Sequence, residues 1–239
     1  MKAAVYAVVP AAGAGKRMGS ATPKQYLEIA GRSVLEHTVW RLAGQALIRK
    51  VVVAISAGDE YFAALRPAMP AKVSTVLGGA ERCHSVLAAL QALANEAAAD
   101  DWVMVHDAAR PCVRSADLEH MIAILGEDPV GGILAAPVRD TLKRCNNDGT
   151  IRGTVDRNQL WHALTPQMFR LGMLTHALET ALAAGVIVTD EAQAIERAGL
   201  TPRVVAGHAD NLKITHPEDL SLARLILAAQ DAAARGDPI

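Results

Sequence analysis

Five apolar runs, at residues 5–9, 51–55, 73–77, 102–105 and 132–136, recur along this chain without the polar alternation of a half-solvated strand. Strands of that kind need apolar neighbours on both faces, which a parallel sheet layered between helices supplies. Helical patterns fill the intervals, at 33–42, 59–65, 81–96 and 116–125. The alternation predicts right-handed β-α-β crossovers in a doubly wound, mostly parallel α/β sheet. Ligands of such sheets bind beyond the carboxyl ends of the strands. The loop around Gly13, the Gly78-Gly79 pair and His106-Asp107 each directly follow a strand, so all three fall on that edge.

With 239 residues, 51% of them hydrophobic, the chain can bury a large core, and one domain over 1–239 is expected. Lys plus Arg number 24 against 25 for Asp plus Glu, so no global basic field exists to hold nucleic acid. The three cysteines, Cys83, Cys112 and Cys145, lie far apart and share no metal-ligand spacing with the eight histidines. They read as reduced thiols of a cytoplasmic protein. Residues 1–9 faintly imitate a signal peptide, but Pro10 and a cationic loop follow at once. No apolar run approaches the roughly 18 residues of a membrane span, so no membrane partner is expected.

Residues 142–157 turn polar around Asn147-Asp148-Gly149, a hairpin signal. An exposed two-stranded arm buries too little to be stable alone, which points to a partner subunit beneath it. A solvated surface hairpin is the alternative. Further on, helices are expected at 171–183 and 191–198 and a short strand at 203–205. The last helix is expected to start with a capping box of Thr215 and Glu218, with Pro217 in its first turn. The alanine-rich tail after 228 reads as expendable.

The richest segment is Pro10-Ala11-Ala12-Gly13-Ala14-Gly15-Lys16-Arg17-Met18-Gly19, followed by Pro23-Lys24-Gln25. Glycines let backbone amides converge on phosphate oxygens, and Lys16, Arg17 and Lys24 supply charge, so the loop suits a nucleoside triphosphate. A P-loop would need a glycine five residues before Gly15 and a hydroxyl after Lys16, where Pro10 and Arg17 stand. The dinucleotide fingerprint would need its third glycine at Met18; Gly19 comes one residue late, and Thr22-Pro23 opposes an immediate helix. An ordinary Gly-rich turn is the plain alternative.

These segments, together with Gly78-Gly79-Ala80-Glu81-Arg82-Cys83-His84-Ser85, His106-Asp107-Ala108-Ala109-Arg110-Pro111, Asp140-Thr141-Leu142-Lys143, Asp156-Arg157-Asn158, Leu164-Thr165-Pro166-Gln167, Thr189-Asp190-Glu191 and Asp210-Asn211-Leu212-Lys213, stand in a telling order. In order and spacing they closely resemble the 2-C-methyl-D-erythritol 4-phosphate cytidylyltransferase family of the non-mevalonate isoprenoid pathway, over residues 8–220. The resemblance implies a nucleotidyltransferase fold and a homodimer exchanging β-arms. It also implies CTP and a polyol phosphate as substrates, with a divalent metal, Mg²⁺ or another such as Mn²⁺. The implied reaction is attack of the substrate phosphate on the α-phosphorus of CTP, expelling pyrophosphate. Such transfer depends on positioning and charge neutralisation and needs no protein nucleophile. The chain accordingly has no Gly-x-Ser-x-Gly elbow and no His-Glu-x-x-His pair, and His106-Asp107 need not belong to a hydrolase triad. With the sequence ending at Ile239, the fused cyclase domain of some relatives is not expected here.

By residue matching, Arg17 and Lys24 resemble the pair that stabilises the pentavalent transition state. Asp107 resembles the acid near the α-phosphate and metal, with Asp210 as a second metal ligand; a turn or cap role beside Ala108 is the alternative for Asp107. Pro10, Ala11, Ala12, Gly13, Gly15 and Lys16, with Gly79, Ala80, Arg82 and Ser85, resemble the nucleotide frame. Lys16 is either a triphosphate contact or solvated. Ala80 replaces an acid that in some relatives reaches the ribose. Glu81-Arg82 alternatively mark a plain helix start with an acid at its positive end. Arg157, Lys213, Thr165, Thr189, Thr141 and Arg110 are implied to bind the methylerythritol phosphate, Thr141 and Arg157 coming from the partner's arm. Within one arm, Arg157 could instead pair with Asp156 or Asp140, although adjacent strand residues face opposite ways. Two rivals stand beside this reading: the same transfer to another polyol phosphate such as ribitol 5-phosphate, and a nucleotide-binding protein without turnover.

Overall fold

The computed structural model describes residues 3–13 and 22–236. In chain order its strands are β1 (Val5–Pro10), β2 (Glu28–Ile29), β3 (Arg32–Ser33), β4 (Ile48–Ile55), β5 (Val73–Leu77), β6 (Trp102–Val105), β7 (Gly131–Pro137), β8 (Leu142–Cys145), β9 (Ile151–Val155), β10 (Trp161–Arg170) and β11 (Arg203–Ala206). Its α-helices are α1 (Val34–Ala43), α2 (Glu60–Leu65), α3 (Arg82–Leu93), α4 (Ser115–Leu125), α5 (Leu171–Ala183), α6 (Glu191–Arg197) and α7 (Pro217–Arg235). Among the described residues, seven strands form the central sheet in the order β5-β4-β1-β6-β10-β7-β11. All pairings are parallel except the two made by β10, which runs antiparallel to β6 and β7. The expected doubly wound, mostly parallel sheet is the observed one.

Strand β1 shows why these runs lack polar alternation. Val5, Ala7 and Val9 enter the core shared with Leu35, Val39 and Leu42 of α1 and with Leu118 and Met121 of α4. Tyr6 and Val8 enter the opposite core, with Val86 and Leu90 of α3 and Leu174 and Leu178 of α5. A strand's side chains point alternately to its two faces, so both faces must be apolar when both are covered. From β1 the chain builds outward to β4 and β5 on one side, then returns to place β6 on the other. The carboxyl ends of β1 and β6 therefore flank a switch point, where an open sheet leaves a crevice.

Local chemistry sets the helix starts. Ser33 caps α1: its side chain accepts from Glu36 N at 3.1 Å while Glu36 accepts from Ser33 N at 2.7 Å. In β2–β3, Ala30 and Gly31 turn with φ of 49° and 78°, the sign a two-residue hairpin needs. Helix α7 corrects the expected cap. His216, not Thr215, is the capping residue, and the carboxylate of Asp219, not Glu218, accepts from the backbone N–H of Thr215 and His216, each at 2.8 Å. Pro217 does occupy the first turn.

The polar segment forms the expected hairpin, with Leu142 opposite Val155, and its strands are largely exposed. Arg157 lies beyond β9, and its guanidinium donates to the Arg139 carbonyl rather than pairing with Asp156 or Asp140. Strand β10 was not legible in the sequence. Gln167 and Thr165 interrupt its apolar pattern, yet they are 1% and 4% exposed. Gln167 finds its partners at the start of α6, donating to Oδ2 of the capping Asp190 at 3.0 Å and accepting from Ala192 N at 2.8 Å.

Candidate active site

Four segments close around a cleft of about 300 Å³ at the switch point. The first is the end of β1. Gln25 Nε2 donates to the carbonyls of Ala11 at 2.8 Å and Gly13 at 3.0 Å, and Ser56 Oγ donates to that of Ala12 at 2.9 Å. Three successive carbonyls are thus tied back into the protein, and the segment lines the cleft with its carbonyl groups already satisfied. Gln25 and Ser56 were not assigned this work from sequence, although Gln25 stood in the quoted motif. Gly15, Lys16 and Arg17 lie outside the described residues.

The second segment follows β5. Gly79 N donates to Ser85 Oγ at 3.2 Å, and Gly78 N to Ile55 O at 2.8 Å. A Cβ on Gly78 would sit 2.6 Å from Ala12 Cβ and 2.7 Å from Ser85 Oγ, so the close approach of these two loops requires glycine there. Glu81 stands at the N-cap of α3, and Arg82, the next residue, lines the cleft. Ala80 lines the cleft beside them.

The third segment follows β6 and carries Asp107, 7% exposed. Arg82 Nε donates to its Oδ1 at 2.9 Å; Lys213 Nζ reaches Oδ2 at 2.8 Å and Arg110 Nε at 3.6 Å. Burial alone would raise the pKa of this carboxyl. The attraction of Arg82, Lys213 and Arg110 outweighs it and holds Asp107 far below the usual carboxylate range, so it stays ionised. Neighbouring His106 is pushed down to about 4, chiefly by burial. Its Nε2 lies 3.0 Å from the Arg110 carbonyl, which can only accept, so Nε2 carries the proton. Nδ1 must then accept from Thr165 Oγ1 at 3.0 Å, and that oxygen accepts from Asp107 N at 3.1 Å. This chain of bonds fixes the backbone beneath Asp107.

The fourth segment precedes α7. Lys213 lines the cleft with Lys24, whose Nζ donates to the Ile214 carbonyl at 2.8 Å. The structure therefore brings Pro10 to Gly13, Lys24, Gly79, Ala80, Arg82, Ser85, Asp107 and Lys213 together. Thr165 and Arg110 stand behind Asp107 rather than in the lining. Arg110 donates to Asn211 O at 2.6 Å. Thr141, Arg157 and Thr189 are exposed and do not line their own chain's cleft. Asp210, expected as a second metal ligand, is instead forked by Arg114, with Oδ2 2.6 Å from Nη2.

A mostly parallel sheet with a cationic, glycine-lined cleft at its switch point places the chain among α/β proteins built to hold a phosphate-bearing ligand. The family model for 2-C-methyl-D-erythritol 4-phosphate cytidylyltransferase, IspD, matches residues 5–229. A Shewanella amazonensis protein of that name is 53% identical over 226 residues, 95% of this chain and 94% of the relative. A crystal structure of 4-diphosphocytidyl-2C-methyl-D-erythritol synthase superposes with a TM-score of 0.82 at 38% identity, covering 95% of this chain and 100% of that one. The Francisella tularensis 2-C-methyl-D-erythritol 4-phosphate cytidylyltransferase structure gives 0.80 at 34% identity, covering 93% and 99%. The chain belongs to the 2-C-methyl-D-erythritol 4-phosphate cytidylyltransferase family and is an enzyme of the cytidylyltransferase class.

Proposed function

We propose that this enzyme transfers CMP from CTP to 2-C-methyl-D-erythritol 4-phosphate, in isoprenoid precursor synthesis. The observation that carries the reading beyond family membership is the convergence of Lys24, Arg82 and Lys213 on the glycine-lined cleft around ionised Asp107. A phosphate oxygen of the acceptor forms a bond to the α-phosphorus of CTP as the bond to the bridging oxygen breaks, and pyrophosphate leaves with that oxygen. Lys24, together with Arg17, stabilises the charge that builds at the α-phosphorus. The segment from Pro10 to Gly13, Gly15, Lys16, Gly79, Ala80, Arg82 and Ser85 hold the nucleotide. Lys213 and Thr189 meet the acceptor, with Thr141 and Arg157 supplied by the arm of a second copy. Thr165 and Arg110 belong to the acceptor side of the same site, and both also hold Asp107 in place.

A divalent cation, Mg²⁺ or Mn²⁺, fits this cleft in a restricted way. Among the described residues no three His, Cys, Asp or Glu side chains gather as a ligand set. Such an ion takes most of its oxygens from phosphate and water, with Asp107 as the protein's carboxylate. When bound it neutralises triphosphate charge. The same reading takes residues 1–239 as one cytoplasmic domain that dimerises through the arm at 142–157. Among the described residues no helix is long and apolar enough to cross a membrane, and Cys83 and Cys112 are buried, burial pushing the Cys112 thiol up to about 12. The deciding experiment is pyrophosphate release from CTP with Mg²⁺ and a panel of polyol phosphates. Turnover should require 2-C-methyl-D-erythritol 4-phosphate and stop in excess chelator. A preference for ribitol 5-phosphate, or no release with any acceptor, overturns the reading.

A further inference from the structure

Glu191 opens α6 with a side chain only 1% exposed, yet it does not line the cleft. Its two oxygens take both terminal nitrogens of Arg82, Nη1 to Oε1 at 2.7 Å and Nη2 to Oε2 at 3.0 Å, while Arg82 Nε binds Asp107. A guanidinium has five N–H groups in a rigid plane. Three are committed here, so the remaining two, one on each terminal nitrogen, have their directions fixed by the fork. Arg82 itself lines the cleft, so those two are the N–H groups it can offer a ligand.

The fork also stands on a braced base. Asp190 accepts from Gln193 N at 3.0 Å to cap α6, and Gln167 of β10 bonds both Asp190 and Ala192. A buried carboxylate is costly unless it is paired, and Arg82 supplies that pairing from the cleft side. The two residues therefore constrain each other, one from the wall and one from the cleft.

We propose that Glu191 is a positioning residue for the transfer reaction, acting through Arg82 by clamping its guanidinium between α6 and Asp107. This rests on the cytidylyltransfer reading. Glu191→Gln keeps the side chain's size but turns an N–H₂ toward a group that can only donate, so the two-bond fork is lost. Arg82 then keeps Asp107 and loses its fixed plane.

The test compares kcat and CTP KM for the wild type, Glu191→Gln, Arg82→Gln and the double variant, alongside ¹⁵N NMR of the Arg82 Nε–H, assigned by its absence in Arg82→Gln. Glu191→Gln should lower kcat about tenfold to a hundredfold, the size typical of losing a partner that orients a working group, with CTP KM within about threefold. Adding it to Arg82→Gln should change kcat by less than about threefold, because the residue it acts through is already gone. The Arg82 Nε–H should exchange with solvent faster in Glu191→Gln than in the wild type. Additive losses in the double variant, an unchanged kcat, or an unchanged exchange rate overturns the proposal. If Glu191→Gln does not fold, Glu191→Asp, one methylene short of the fork, is read in the same comparison. A wild type without turnover refutes the assigned reaction, while the exchange rate still reads the clamp.

Discussion

At the residue scale, Asp107 is held from two directions: its side chain by Arg82, Arg110 and Lys213, and its backbone by Thr165 and His106. The second set predicts a stability signature. His106 is fully buried and its pKa falls from 6.5 to about 4, so between those values the unfolded chain binds a proton that the folded chain refuses. Stability from this group is complete above about pH 6.5 and is lost as pH falls toward 4, by about 3 kcal/mol. The unfolding free energy from denaturant titrations with chelator present should fall by about 2 kcal/mol between pH 7 and pH 4.5, and much less in His106→Gln; an equal fall in the two proteins would refute it. Lys24 gives a kinetic prediction. It lines the cleft while anchored to the Ile214 carbonyl. Lys24→Ala should cost about a hundredfold to a thousandfold in kcat, with little change in CTP KM, as expected for a donor felt mainly in the transition state. Near-normal turnover would remove Lys24 from that role.

At the scale of elements, the sheet's far side depends on backbone contact that no side chain mediates. Gly132 of β7 pairs with Arg203 of β11, and a Cβ on Gly132 would lie 2.1 Å from the Arg203 carbonyl oxygen. Neither backbone can yield without opening the β7–β11 pair. Gly132→Ala should therefore destabilise by about 3 kcal/mol, at the upper end of overpacking costs, read as a lower denaturant midpoint with unchanged slope. An unaltered midpoint would mean that β11 shifts freely. Strand β10 matters in a different way. Running against its neighbours, it brings Thr165 under Asp107 and Gln167 against the start of α6, so one strand supports both the acid and the Glu191 clamp.

For the whole molecule, the arm at 142–157 carries the prediction about assembly. Arg157 is exposed and lines nothing in its own cleft, whereas Lys213 does. If the arm reaches a second copy, Arg157→Ala and Lys213→Ala chains, each nearly inactive, should regain activity when mixed and reassembled. Random exchange makes half the dimers mixed, each with one intact site, so recovery is bounded at about one quarter of wild type by twofold symmetry. Proven exchange without recovery would place both residues in one chain's site.

The doubly wound sheet was legible because two-sided burial leaves its mark on each strand: Val5, Ala7 and Val9 face one core, and Tyr6 and Val8 the other. The cleft's edge was legible for a related reason, since Gly13, Gly79 and Asp107 each follow a strand directly. Strand β10 was not, because Gln167 and Thr165 are polar and their burial is tolerable only beside partners far along the chain, at the start of α6 and at His106. The cap of α7 was misread for a smaller reason: Thr215-Glu218 and His216-Asp219 offer the same spacing one residue apart, and the approach of the chain to the helix chose between them. Sequence determined which residue types reach the cleft. Tertiary structure decided which of them face it and which, like Thr165, Arg110 and Glu191, stand behind and hold the others, because hydrogen-bond partners distant in sequence are specified only once the chain has folded.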